Sequence, residues 1–214
     1  MASRPILAAT LQAALLGAIS NVLAQLITAS RNKTELLVDW IPVFQFLLFS
    51  IINTPPNFLW QDFLESTFPS HPAPRQPKKS DDNPQPQQPL SLRNTLAKFL
   101  LDQTLGAAAN TLLFSVSLRA LQDAMAPAPR ITGLHKAWVY WSGPRAIDFA
   151  RVDSAAVWDA ARAEFWPLVG AGVRFWPVVS IVNFTLVKTV QGRNLVGALA
   201  GVVWGVHMSM VAAQ

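Results

Sequence analysis

The chain has no cysteine at all. That excludes disulfides, zinc–thiolate sites and a cysteine nucleophile, and leaves the redox compartment open. Charge is scarce too: 14% of the residues are Asp, Glu, Lys or Arg, against about 25% in a soluble domain. The three histidines, His71, His135 and His207, are scattered. No Gly-rich phosphate loop precedes a helix, and neither His-Glu-x-x-His nor Gly-x-Ser-x-Gly occurs. No catalytic, metal-ligating or cofactor-binding set emerges, so the expectation is a protein that is not an enzyme and carries no cofactor. The net charge of +5 is spread between hydrophobic segments. It forms no basic stripe interleaved with aromatics, so nucleic acid is not an expected partner.

What is abundant is apolar. Half of the 214 residues are hydrophobic, and the mean hydropathy is positive at +0.29. A chain this short has too little polar surface to bury so much apolar side chain in a soluble core; a lipid bilayer removes that difficulty. A spanning helix needs about 20 mostly apolar residues. Five stretches approach this: 5–28, 41–64, 96–121, 165–187 and the shortest, 195–211. The fifth is either a full span or half of a re-entrant pair with the fourth. The expected fold is all-α, a single polytopic bundle of four to five membrane helices over 1–214, some kinked or broken at proline. Positive charge of the connections gives no orientation, since seven Lys/Arg fall on each side of a five-span arrangement.

Two polar connections interrupt the pattern. Residues 69–94 open on a Pro/Gln-rich stretch with seven prolines between Pro69 and Pro89. Such a stretch cannot bury enough apolar surface to order itself and is expected to be disordered. The second polar loop, 123–162, carries Trp138, Tyr140 and Trp141. These rings either rest at headgroup level or pack a small loop domain.

Polar residues recur inside the apolar stretches, where they are expensive and face the bundle or a water-filled path. In the first, Gly17, Asn21 and Gln25 recur every four residues, with Thr10 on the same side. In the second, Ser50, Asn53, Asn57 and Gln61 follow at spacings of three, four and four around Thr54-Pro55-Pro56. Two prolines remove donors for the carbonyls of Ile51 and Ile52, and Thr54 reads as an N-cap, so the helix is expected to break and restart there. Lys98 and Asp102 stand one turn apart in the third stretch, a spacing that allows an ion pair. Arg174 needs a partner in the fourth, with Asp102 the first candidate and Asp62 the second. Gly197, Gly201 and Gly205 form a double Gly-x-x-x-Gly, a face on which another helix can pack closely. That partner lies in the same chain or in a second copy.

Several of these residues also follow the pattern of a known family. Pro5, Thr10, Gly17 and Gln25 match its opening motif, with Ser20-Asn21 in place of Gly-Asp. Pro55 and Trp60 match a second motif whose Gly, His and Tyr are absent here. Lys98, Asp102 and Gln103 keep Lys-x-x-x-Asp-Gln intact. Trp176-Pro177, Asn183-Phe184, Arg193, Trp204 and Ser209 follow its C-terminal signature, with Ser180 replacing glutamine and one extra residue before Arg193. In order and spacing the chain resembles the Mpv17/PMP22 family of small organellar membrane proteins, as a divergent, fungal-type branch. The resemblance implies a pore or channel for small solutes in a peroxisomal or mitochondrial inner membrane, or else a sorting protein that maintains the organelle by binding partners. The opening residues lack an Arg- and Ser-rich amphipathic presequence, which inclines the location toward the peroxisome. Candidates to line or brace a path are Asn21, Gln25, Asn53, Pro55, Asn57, Trp60, Lys98, Asp102, Gln103, Arg174 and Asn183. The expected partners are the lipid bilayer, an unidentified solute and further copies of the chain.

Overall fold

The computed structural model describes residues 3–72, 89–144 and 146–212, and no strand occurs among them. The first helix, α1 (Ser3–Arg31), shows why the chain needs lipid. Leu7, Leu11 and Leu15 recur every four residues on its outer face and are about 60% exposed. Thr10, Ala14, Asn21 and Ala24 form its buried stripe. Small and polar residues inside with leucine outside reverse the soluble pattern and suit a helix whose solvent is hydrocarbon.

α1 packs along α2 (Trp40–Thr67) on one side and α8 (Val190–Ala212) on the other. The α1–α2 crossing is close because Gly17 has no side chain. A Cβ there would stand 2.3 Å from Ser50 Oγ and 3.3 Å from the Phe46 carbonyl oxygen. Asp39 caps α2, accepting from the Ile41 N–H at 3.1 Å. Gln25 pins the same turn with both ends of its amide: Nε2 donates to the Asp39 carbonyl and Oε1 accepts from the Asp39 N–H, each at 2.8 Å.

α2 continues through Pro55 and Pro56, so the expected break at Thr54 does not occur. Thr54 is no N-cap; its Oγ1 donates back to the Ser50 carbonyl at 2.6 Å. Packing along both sides of the helix, with Gly17 against Ser50 and Phe49 edge-on to Phe114 at 5.2 Å, outweighs the two lost backbone bonds.

α3 (Leu92–Leu101), a π-helical turn (Asp102–Gly106) and α4 (Ala107–Ala124) run on as one helical rod. This rod of 33 residues and α1, over Arg4–Arg31, are long and apolar enough to cross a membrane. α6 (Ser154–Gly172) and α7 (Trp176–Leu186) pass that test only together, as a pair bent by 62°. Pro177 opens α7, as its sequence suggests, whereas Pro167 sits inside α6 without interrupting it. By length and hydropathy the described residues thus give two spans, or three with the bent pair, where the sequence suggested four to five. α2 is long enough, but its run of Gln, Asn, Ser and Thr dilutes its hydropathy.

Both polar connections are partly built into the fold. Ser70 and Ser91 pair by a backbone hydrogen bond of 2.9 Å, and Ser91 caps α3. The rims of 69–94 are therefore ordered, and 73–88 lies outside the described residues. The stretch 123–162 contains α5 (Leu134–Trp141) and the first turns of α6. Ile41, Met125, Ile131 and Ala137 form a buried cluster there, with Tyr140 and Trp141 packed against it. Trp141 stacks on Phe44 at 4.4 Å, whereas Trp138 points outward. The aromatic trio is thus divided between core and surface.

Candidate functional site

Four elements bring polar groups together at the inner side of the rod, in two adjacent clusters. The first surrounds Glu65, near the end of α2 and past its apolar stretch. Lys98 and Arg193, 0% and 1% exposed, both reach Glu65 Oε2, at 2.7 Å and 2.6 Å. Ser70 completes the cluster: its hydroxyl donates to the same oxygen at 3.0 Å and accepts from Lys98 and, at 3.2 Å, from Arg193. The Ser70 N–H donates to Glu65 Oε1 at 2.7 Å. Arg193 Nε also donates to the carbonyls of Asn183 and Val187, each at 3.1 Å. Phe184 lies under both cations, 5.2 Å and 5.3 Å from their charged atoms, a favourable placement over an aromatic face. Burial pushes the Glu65 carboxyl up, but hydrogen bonds from Lys98, the Ser70 N–H and Arg193 outweigh it and hold the group down at about 2.

The second cluster is centred on Asp102, at the first residue of the π-helical turn. Oδ1 accepts from Trp60 Nε1 at 3.2 Å and from Gln61 Nε2 at 3.1 Å. Oδ2 accepts from Ser180 Oγ at 2.8 Å and from Gln103 Nε2 at 3.3 Å. All four donors are neutral. Gly106 makes room for them, since a Cβ there would stand 2.8 Å from Trp60 Nε1. A π-helical turn redirects the side chains that follow it and often occurs at functional sites. Ser180 and Asn183, one turn apart on α7, connect the two clusters. Glu65, Lys98, Arg193 and Asp102 together sum to zero charge, with the surplus positive charge beside the lone carboxylate.

This geometry corrects two expected ion pairs. Lys98 pairs with Glu65 and not with Asp102. A helical side chain leans toward the helix N-terminus, which takes Lys98 to the end of α2, while Asp102 faces Trp60, Gln61 and Ser180. Arg174 is paired with neither Asp102 nor Asp62; it is exposed, at the bend between α6 and α7.

The other candidates divide. Trp60, Lys98, Asp102, Gln103 and Asn183 converge on the two clusters. Asn21 and Gln25 stand apart and bond each other at 2.8 Å. Asn53, Pro55 and Asn57 are half-buried along α2, and Asn53 Oδ1 is enclosed without a partner. Of Gly197, Gly201 and Gly205, only Gly205 is in close contact, with a Cβ there 2.6 Å from Ser20 Oγ on α1. Gly197 and Gly201 face open space within 4 Å. Sequence reasoning missed Glu65 and Ser70 as partners; Arg193 lies 128 positions from Glu65, and nothing local marks that pairing. It also missed Arg119 and Glu164, an ion pair between α4 and α6 to which Ser115 adds a hydrogen bond of 3.0 Å. No group of three His, Asp or Glu residues that could hold a metal occurs among the described residues.

No curated protein and no solved structure matches the chain. Residues 149–209, from the turn before α6 to near the end of α8, match the model of the Mpv17 / PMP22 family. That stretch supplies Ser180, Asn183, Phe184 and Arg193, the side of both clusters contributed by α7 and α8. Residues 149–209 are thus similar to the Mpv17 / PMP22 family, and the apolar helices fit a membrane protein.

Proposed function

We propose that the chain forms a pore for small solutes, with Asp102 at its narrow polar section, and that it acts without catalysis. One observation carries this reading. Asp102 lies at depth inside the rod Leu92–Ala124, which is long and apolar enough to cross a membrane. A charge at that depth is rare, and it faces the bundle interior or a hydrated route. Among the described residues it is held only by neutral donors, from α2, α7 and its own helix, and touches no cation. Such a ring can hold a carboxylate in place while leaving its charge available to a passing solute. Purified protein in planar bilayers is expected to show discrete conductance, with the preference for cations reduced in Asp102→Asn. Silent bilayers containing protein with native helical content contradict the proposal.

A second reading, a sorting protein that gathers partners, rests on the glycine face of α8, where a Cβ on Gly197 or Gly201 would meet nothing within 4 Å among the described residues. Gly201→Leu then abolishes partner recovery without affecting insertion. The organelle carried forward is the peroxisome ahead of the mitochondrion; imaging of a tagged chain beside markers of both tests it.

A further inference from the structure

α5 has three distinct sides. Ala137, Tyr140 and Trp141 face inward, where Ala137 is fully buried and Tyr140 Oη donates to the Met125 carbonyl at 3.4 Å. Leu134 and Trp138, one turn apart, form an adjoining edge and are 58% and 68% exposed. At 3.6 residues per turn, Trp138 lies about 60° around the helix from Trp141, and Lys136 about 160° from Trp138 on the far side. A packed face, an apolar edge and a back that carries Lys136 and the exposed Val139 fit a helix that lies flat at a membrane surface.

The depth at which α5 is held agrees. Trp40 and Ile131 pair through backbone atoms at 2.9 Å, the Trp40 indole N–H donates to the Thr132 carbonyl at 3.2 Å, and Asp39 Oδ1 accepts from the Ile131 N–H at 3.2 Å. These bonds fix the approach to α5 beside the first turn of α2, where its apolar stretch begins. Met125, in the same cluster, directly follows the last residue of the spanning rod. The uncovered edge therefore lies beside the first turn of α2 and the end of the spanning rod. Tryptophan is favoured at a membrane–water boundary because its ring is apolar and its N–H remains hydrated.

We propose that α5 is an interfacial anchor. Leu134 and Trp138 rest in the boundary between lipid headgroups and acyl chains, Lys136 faces water, and the anchor sets the depth and tilt of the bundle. The proposal rests on membrane insertion alone and stands or falls independently of solute passage.

The absence of cysteine makes the test direct. Leu134→Cys, Trp138→Cys and Lys136→Cys full-length chains are labelled with an environment-sensitive fluorophore and reconstituted in vesicles of phosphatidylcholine with a minority of phosphatidylglycerol. Labels at 134 and 138 are expected to emit at shorter wavelength, to be quenched by lipids spin-labelled near the headgroup, and to resist aqueous iodide. The label at 136 is expected to do the reverse. Because Trp138→Cys removes the ring itself, Leu134→Cys, which retains it, is the deciding variant, with native helical content checked by circular dichroism. Equal iodide quenching at 134 and 136 overturns the proposal. So does shielding at 134 that disappears when the protein is diluted in lipid, which would assign the edge to a second copy.

Discussion

Among the described residues Glu65 is the only anion in contact with the buried cations Lys98 and Arg193, and this makes its removal unlike the removal of either partner. Glu65→Gln leaves Lys98 and Arg193 beside each other, 0% and 1% exposed, without a counter-charge. Stripping one partner from a buried pair costs about 3–5 kcal/mol. Because Glu65 is itself 26% exposed, water reaches its position and the lower end, about 3 kcal/mol, is expected. Lys98→Met has a different consequence. It leaves one anion facing one cation, Ser70 keeps its bond from Arg193 at 3.2 Å, and the methionine fills most of the lysine stem's volume. Replacing a buried charge by an apolar group of similar size is often near neutral, so about 1 kcal/mol is expected. The assay is denaturant unfolding of purified protein in lipid bicelles, followed by far-UV circular dichroism. A Lys98→Met variant as unstable as Glu65→Gln, or more so, refutes the reasoning, because it would show that the lysine is needed for its own contacts and not as one of two cations sharing one anion.

Three further outcomes follow from distances in the fold. The Glu65 carboxyl is held at about 2 against an ordinary value of 4.5, so its contribution is present in full above about pH 4.5 and is lost as pH falls toward and through 2; acid titration of stability should show this loss in the native chain and lack it in Glu65→Gln. Gly17→Ala places a Cβ against Ser50 Oγ and the Phe46 carbonyl and is expected to cost about 1–3 kcal/mol, most of it recovered in the double variant with Ser50→Ala; a double variant no more stable than the single places the strain at Phe46. Gly205→Val meets Ser20 on α1 while Gly201→Val meets nothing within 4 Å, so thermal unfolding of the isolated chain should be lowered by the first and unchanged by the second.

The two clusters show how far local pattern reaches. Lys98 and Asp102 were visible as charges in an apolar stretch, and their spacing suggested each as the other's partner. In the fold they belong to separate clusters. An ion pair is chosen by which groups share a buried volume, and Glu65 and Arg193 enter that volume from helices far apart in sequence. The π-helical turn at Asp102 was equally hidden; it coincides with the contacts of the carboxylate to Trp60, Gln61 and Ser180, residues remote in sequence. The proline pair in α2 failed in the opposite direction: a strong local signal for a break was overridden by helices packed along both sides.

The sequence by itself determined the solvent and the class of fold. The absence of cysteine, the scarcity of charge and the apolar stretches follow from composition and period, and they required helices in lipid whatever the packing. The family pattern was also legible, because it is carried by the order of residues along the chain. Only the tertiary structure decided which charges pair, which of Gly197, Gly201 and Gly205 touches α1, and which rings of α5 are core and which are surface. These are matters of distance between residues remote in sequence, and such distances exist only once the helices have packed.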